Sequence, residues 1–316
     1  MKQVIYKQFG NENVLEITTK VTPALGKNQL LVRVKAVSIN PLDWKLYRGE
    51  MKLMSGSKFP KAVGIDFSGV IENTGSDVKR FKIGDEVLGL VDVFKGGALA
   101  DYVIVKDTDL AVKPANISFE EAATLPVAGL SALQIIDSLA KIHAGQHVLI
   151  NGASGGIGVF AVQIAKQRGA SVTAVVSSKG NKLAAELGAD HVIDYTKDDI
   201  AQIAMLFDTV IDLSTKLSFK DAKKLMKKQA TFVTTLASPL ILLKSIFNNL
   251  LSGKKLKVLI LKPGIEKLER VSELAKNGMS IVVNKTYGLD QVRKAYEETS
   301  KGGIVGKSVI ITADHL

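Results

Sequence analysis

Two short stretches combine residue types and spacings suited to chemistry. In Ala153-Ser-Gly-Gly-Ile-Gly158, the residues Ala153, Gly155 and Gly158 fall in the A-x-G-x-x-G spacing of a dinucleotide turn, with alanine replacing the first glycine. Gly155 would let the backbone approach a pyrophosphate, and Gly158 would let a helix pack close to the strand before it. The segment Ser154, Gly155, Gly156, Ile157 and Gly158 would then turn a helix N-terminus toward the anion. A merely tight strand-to-helix turn is the alternative. About twenty residues on, an Asp or Glu would meet the ribose of NAD. This chain instead has Ser177, Ser178 and Lys179, followed by Asn181 and Lys182. Hydroxyls and cations suit a 2′-phosphate, so NADPH is the expected cofactor, although serines also begin solvated helices.

Other chemistries are thinly supplied. The absence of cysteine removes thiol nucleophiles, disulfides and Cys-ligated zinc. The four histidines, His143, His147, His191 and His315, show no ligand spacing, so no metal site is expected. Lysine and arginine exceed acidic residues by 42 to 31 for a net +11. That excess reads as spread over a lysine-rich surface with no basic stripe interleaved with aromatics, and nucleic acid is not an expected partner. The 316 residues, 46% of them apolar, suit a two-domain globular protein. The N-terminal residues lack a signal-peptide core and no long uncharged apolar run is present, so a cytoplasmic location is expected.

The nucleotide turn requires a strand before it and a helix after it. His147 to Ile150 and the apolar helix that follows Gly158 supply both, and Ser171 to Val176 gives a second strand. Strands and helices then alternate through Thr231 to Leu236, which implies a doubly wound parallel sheet of α/β class. The opening third differs. Short strands separated by Gly, Pro and Asp turns, among them Gln29 to Ile39 with its two-residue period, predict a compact β-rich domain. A capping box at Ser118 to Glu121 opens the helix that joins the two. The expected domains are residues 1–122, a nucleotide-binding domain at 123–264, and a tail at 265–316 returning to the first domain.

Several segments together resemble the medium-chain dehydrogenase/reductase superfamily in its zinc-free quinone oxidoreductase branch. They are INPLDWK at Ile39 to Lys45, FSGVIENTGSDVKRFKIGDEV at Phe67 to Val87, GGALADYVIV at Gly96 to Val105, EEAATLPVAGLSALQ at Glu120 to Gln134, the glycine turn, and LGADHVIDY at Leu187 to Tyr195. The form is most similar to plant chloroplast-envelope quinone oxidoreductase homologues and their bacterial relatives. The resemblance implies a Rossmann sheet plus a β-rich GroES-like barrel domain. It also implies hydride transfer from NADPH to a quinone or an α,β-unsaturated carbonyl compound (an alkenal or enone). Gly64, Ile65 and Asp66 stand where zinc-dependent members carry Gly-His-Glu, which removes Lewis-acid alcohol oxidation from the expectation.

The resemblance places Asn40 beside the nicotinamide, Val127 and Ser131 along its ribose and ring, Ser154 to Gly158 at the pyrophosphate, and Tyr195 toward the adenosine phosphate. Leu213, Ser214, Thr235 and Leu236 border the cofactor at strand ends. Relatives with a tyrosine near the substrate have it at the position of Lys45, so Lys45 or Tyr47 is the candidate proton donor. An ordinary Asp43–Lys45 ion pair is the alternative. A different reading of the whole chain is an NADPH-binding sensor or RNA-binding protein with little catalysis. Ser238 to Lys262 reads either as a helix over the sheet followed by a sixth strand, or as a membrane-surface element. The apolar edge at Lys255 to Leu261 is expected to pair with its symmetry mate, giving a homodimer.

Overall fold

The structure, a computed structural model, describes residues 1–312; His315 lies outside the described residues. The chain divides into two units, Met1–Val127 with Pro263–Leu316, and Ala128–Lys262. The first holds strands β1 (Lys2–Tyr6), β2 (Glu16–Thr19), β3 (Gln29–Ser38), β4 (Lys61–Ala62), β5 (Asp66–Thr74), β6 (Glu86–Leu90), β7 (Tyr102–Lys106) and β8 (Leu110–Val112). The second contributes β9 (His147–Asn151), β10 (Ser171–Val176), β11 (His191–Asp194), β12 (Phe207–Asp212), β13 (Met226–Thr234) and β14 (Lys254–Val258). Strands β15 (Val283–Gly288) and β16 (Lys307–Ile311) belong to the first unit again.

The spine of the first unit is β3, whose residues alternate between its two faces as the two-residue period requires. Its first half pairs with β7, its last three residues pair with β16, and β5 runs antiparallel along it. The C-terminal tail thus closes the sheet order β15-β16-β3-β5-β6-β8. A ten-residue strand with partners along its length leaves its end, Ser38, rigidly placed. The chain then turns through Asn40 into the helix Pro41–Tyr47, where proline occupies the first helical position that tolerates it best.

In the second unit the parallel order is β11-β10-β9-β12-β13-β14. The direction of winding reverses between β9 and β12, which opens a crevice beyond their carboxyl ends. Between β11 and β12, where the alternation of strands and helices calls for a helix, the chain forms only a 3₁₀ turn at Ile200–Gln202. The preceding turn explains it, because the Lys197 and Asp198 amides both donate to the Asp194 carbonyl and close the chain early.

The junction is a continuous helical run. Ser118 accepts from the Glu121 amide at 3.1 Å while the Glu121 carboxylate accepts from the Ser118 amide at 2.8 Å, the reciprocal cap its sequence predicts. Pro126 and Gly129 do not break the helix, for both lie in the wider turn Leu125–Gly129; a second such turn, Gln134–Ala140, ends the run. Phe119–Ala140 is long and apolar enough to cross a membrane, yet 78% of its most apolar window is buried inside the protein. The units divide within this run, after Val127, and again after Lys262.

The edge of the second sheet departs from expectation. Asn249, on the helix Pro239–Leu251, accepts from the Leu256 amide and donates to the Leu256 carbonyl, both at 2.7 Å, as a neighbouring strand would. Asn248 donates to the Lys254 carbonyl at 2.7 Å. The outward polar groups of Lys254 and Leu256 are therefore occupied, so pairing of this edge with a symmetry mate is blocked at those residues. Asn249→Ala should remove both bonds to Leu256, lowering stability by about 1–2 kcal/mol. Amide exchange at Leu256 should then accelerate at least about tenfold; unchanged exchange would show that the asparagine does not hold the edge.

Candidate functional site

The glycine turn sits between β9 and the helix Gly158–Gln167, tied to β10 by the Gly152 and Ala153 amides, which donate to the Val175 carbonyl at 3.0 and 3.2 Å. Its glycines serve different ends. Gly152 has φ 86°, a conformation that side chains resist. A Cβ at Gly158 would meet the Gly152 oxygen at 2.3 Å and the Ala153 oxygen at 2.5 Å, so close packing demands glycine there. Gly155 has neither constraint: its φ is ordinary and its Cβ would meet nothing nearer than the Gly152 oxygen at 3.4 Å. The chain's own packing leaves that space open above the first amides of the helix, which lack intrahelical acceptors. An approaching anion fits the opening.

On the adenosine side, Ser178 donates to Asp194 at 2.5 Å. Asp194 also accepts from the Thr196 hydroxyl at 2.6 Å, the Thr196 amide at 3.0 Å and Asn181 at 3.3 Å. Those hydroxyl donors, Ser178 foremost, hold its carboxyl well below the usual carboxylate range. Sequence reading missed this residue, because Asp194 closes β11 and only strand pairing with Val176 brings it beside the loop. Lys179 is exposed, and Lys182 makes only a 3.6 Å contact with Glu186. Ser177 is half-buried and Tyr195 exposed. Ser154 is buried with its hydroxyl so close to Gly180 that a Cβ there would meet it at 2.5 Å.

At the reversal of strand order, Asn151 donates to Asp212 and to the Ser214 hydroxyl, both at 2.9 Å, and Ser214 donates to Asp212 at 2.7 Å. The other Asp212 oxygen is buried without a hydrogen-bond partner, and burial pushes this carboxyl up. An orphaned acceptor at this point suits a donor from a ligand. Of the remaining strand-end residues, Leu213 and Thr235 are half-buried and Leu236 is 40% exposed; Ser131 is buried within the helical junction.

The first unit brings together a cluster that residue spacing does not foretell. Asp66 accepts from the Ser38 hydroxyl at 2.8 Å and from the Asn40 side chain at 2.9 Å, and its second oxygen accepts from the Val127 amide at 3.3 Å. Asn40 also donates to the Ser38 carbonyl at 3.2 Å and accepts from the ammonium of Lys307. Asp43 accepts from the Asn40 amide at 2.8 Å. Asp66, Asn40, Asp43 and Lys307 are all buried. Two predicted site residues, Asn40 and Val127, thus meet at one carboxylate.

The candidate donors separate. Asp43 points into this cluster, so the Asp43–Lys45 ion pair does not form; Lys45 is half-buried and has no ion-pair partner among the described residues. Tyr47 is fully buried, its ring 5.7 Å from that of Tyr296 and its hydroxyl unpartnered inside the core. Burial pushes its phenol up. A phenol with no exposed atom is not placed to protonate a bound molecule, which corrects its place among the donors.

The side chains at the position of the zinc motif, Gly64 to Asp66, are not a metal-ligand set. Ile65 is buried, the Asp66 carboxylate is filled by three donors, and among the described residues no three His, Cys, Asp or Glu side chains cluster to hold a metal. The dinucleotide fits, given the open space at Gly155 and the orphaned oxygen of Asp212.

A Rossmann sheet carrying a glycine turn, in one chain with a β-rich unit, defines the two-domain nicotinamide-dependent dehydrogenases and reductases. The comparisons agree in detail. Residues 26–115 match the alcohol dehydrogenase GroES-like domain and residues 187–310 the zinc-binding dehydrogenase domain. The chain is 32% identical to the chloroplastic quinone oxidoreductase QR1 of Triphysaria versicolor over 98% of each chain. It is 38% identical to the 2-methylene-furan-3-one reductase of Solanum lycopersicum over 67% of this chain and 56% of that one. The quinone oxidoreductase of Coxiella burnetii has a TM-score of 0.89 at 30% identity over 99% of each chain. That of Escherichia coli, solved with NADPH, has a TM-score of 0.85 at 21% identity, covering 99% of this chain and 100% of that one, a likeness of fold. The chain belongs to the quinone oxidoreductase branch of the medium-chain dehydrogenase/reductase family, whose members are NAD(P)H-dependent oxidoreductases.

Asp43 makes the cluster sensitive to pH. Burial, with Asp66 nearby, pushes its carboxyl from an ordinary 3.8 up to about 7. The folded state then holds a proton that the unfolded state has released, so stability should fall as pH rises from about 4 to about 7 and level off above. The ceiling on that loss, ~4 kcal/mol, is the free energy of moving a pKa from 3.8 to about 7. Asp43→Asn, which keeps an acceptor for the Asn40 amide, should flatten the profile and match or exceed wild-type stability at pH 8. Denaturant melts across pH 4 to 8 check this, and a variant with the wild-type slope would assign the titration elsewhere.

Proposed function

We propose that the protein is an NADPH-dependent reductase that delivers hydride to a quinone or an α,β-unsaturated carbonyl compound without zinc. The observation that carries the reading is Gly155, where neither backbone conformation nor packing requires glycine and an approaching pyrophosphate does. In this reading the first-turn amides, including those of Gly156 and Ile157, take the pyrophosphate. Ser178 commits its proton to Asp194, which leaves the exposed Lys179 as the group for a 2′-phosphate. Asp194, though acidic and nearby, is saturated by its own donors. Asp212 keeps one oxygen for a hydroxyl or amide donor.

When bound, the nicotinamide supplies the hydride. The family relationship supports Asn40 as its neighbour, and the bonds from Asn40 to Asp66, Ser38 and Lys307 fix which way that amide faces. Among the described residues no cluster of metal ligands stands ready to stabilise an alkoxide, so in this reading the acceptor itself delocalises the arriving charge, as quinones and enones do. Lys45, half-buried and without an ion-pair partner among the described residues, is the group proposed to attract the carbonyl oxygen and release a proton. The names of relatives support both acceptor classes, a quinone oxidoreductase and a furanone reductase.

Titration should show NADPH binding at least about tenfold tighter than NADH, a difference of about 1.4 kcal/mol that a charge-assisted phosphate contact supplies readily. Lys179→Ala should erase most of it, and equal affinities in the wild type would overturn the cofactor assignment.

Oxidation of NADPH against a panel of quinones, enals and enones tests the reaction; no turnover with any of them would favour a nucleotide-binding sensor. Lys45→Met should lower the turnover number roughly 10²-fold with nucleotide affinity within about twofold, as expected of an interaction made chiefly in the transition state. An unchanged rate would assign the proton to water.

A further inference from the structure

The helix Pro239–Leu251 is turned inside out relative to an ordinary surface helix. Its polar residues Asn248 and Asn249 face the sheet, where they hold the Lys254 and Leu256 backbone. Ile241 packs into the hydrophobic core beneath. Leu243 (53% exposed), Ile246 (59%), Phe247 (59%) and Leu250 (76%) face outward. At 100° per residue these positions fall in one stripe, and no residue of the helix is fully buried. Six large apolar side chains of one 13-residue helix are thus left exposed by the described residues.

Charge marks the same region. Between Asp221 and Glu266 the sequence holds nine lysines and no arginine, aspartate or glutamate, against a net +11 for the whole chain. The positive excess is therefore concentrated here rather than spread as the composition suggested. The fold draws several of these lysines to one end of the helix. Lys255 donates to the Asn249 carbonyl at 2.7 Å and Lys254 to the Lys223 carbonyl at 2.6 Å. A Cβ at Gly253 would meet the Lys228 carbonyl at 2.7 Å, which places that residue alongside. Asp208 and Asp221 are the acids in range, engaging Lys227 at 2.7 Å and Lys224 at 3.6 Å; Lys228, Lys244 and Lys257 have no such partner among the described residues.

We propose that this face docks on an anionic lipid surface, with the leucine and phenylalanine stripe entering the interface and the lysines meeting the head-group phosphates. A second copy of the chain suits it less well. A helix of 13 residues is roughly 20 Å long and presents a stripe roughly 10 Å wide. That is about a quarter of the ~800 Å² per partner of a stable interface. Two such faces would also bring lysines against lysines, whereas an interfacial helix needs only an apolar stripe flanked by cations.

Flotation of the full-length protein with vesicles tests the proposal independently of any enzymatic assay. In ~0.1 M salt it should bind phosphatidylcholine vesicles containing about 30% phosphatidylglycerol, and pure phosphatidylcholine at least about tenfold more weakly. Leu243→Gln/Phe247→Gln/Leu250→Gln should lower binding to the anionic vesicles by about tenfold or more, and Lys228→Gln/Lys244→Gln/Lys257→Gln should abolish the preference for them. Both variants should keep the wild-type melting temperature and NADPH affinity. Wild type that ignores both vesicle types, or an apolar-stripe variant that binds like wild type, would overturn the proposal. So would a wild-type dimer in light scattering that the stripe variant converts to a monomer while neither binds vesicles, which would give the face to a second copy.

Discussion

The first unit depends on the buried charge of Asp66. A carboxylate at the start of an interior strand is costly to desolvate, and it persists only where donors surround it. Each donor comes from a different part of the chain: Ser38 from the end of β3, Asn40 from the start of the helix Pro41–Tyr47, and the Val127 amide from the helical junction. Lys307, reaching Asn40 from β16 across 267 residues of sequence, adds the compensating cation. The return of the C-terminal tail to the β-rich unit is thus an electrostatic requirement as well as a packing one. Burial lowers the Lys307 ammonium pKa and raises the Asp43 and Asp66 carboxyls, the directions expected where desolvation outweighs the attraction between the cation and the two acids.

This constraint explains what was legible in the sequence. The architecture was, because it rests on short-range signals: the two-residue period of β3, the alternation of strands and helices after His147, the Ser118 capping box and the glycine spacing. The buried cluster was not. Asp66 stood out only as a departure from a zinc motif, and Lys307 is one lysine among many, although its place at the head of the apolar strand KSVII was a usable signal. From sequence Tyr47 is as available as Lys45 for a related reason: helical positions two residues apart point to different sides, and burial separates them only once Tyr296 is in place.

In the second unit the same contrast appears between glycines. Gly152 and Gly158 are required by backbone conformation and by close approach, and any chain making this turn would need them. Gly155 is the position where the protein's own structure makes no demand. Spacing alone treats Gly155 and Gly158 alike, and only the surroundings of each separate the one that builds the turn from the one that leaves room. Asp194 makes the complementary point, for an acid beside the nucleotide loop invites an assignment to the ribose until its four donors are counted.

The helix Pro239–Leu251 shows where periodicity stops informing. A 3.6-residue pattern fixes which side chains share a face but leaves open which face turns inward, and the usual assumption is that the apolar one does. Here the sheet ends at β14, whose outward amide and carbonyl groups need hydrogen bonds more than the helix needs burial. Two adjacent asparagines satisfy that need, and in doing so they rotate the leucines out. Satisfying the strand edge and exposing an apolar stripe are therefore one structural event. A substitution that restored an apolar face toward the sheet would bury the stripe only by reopening the edge.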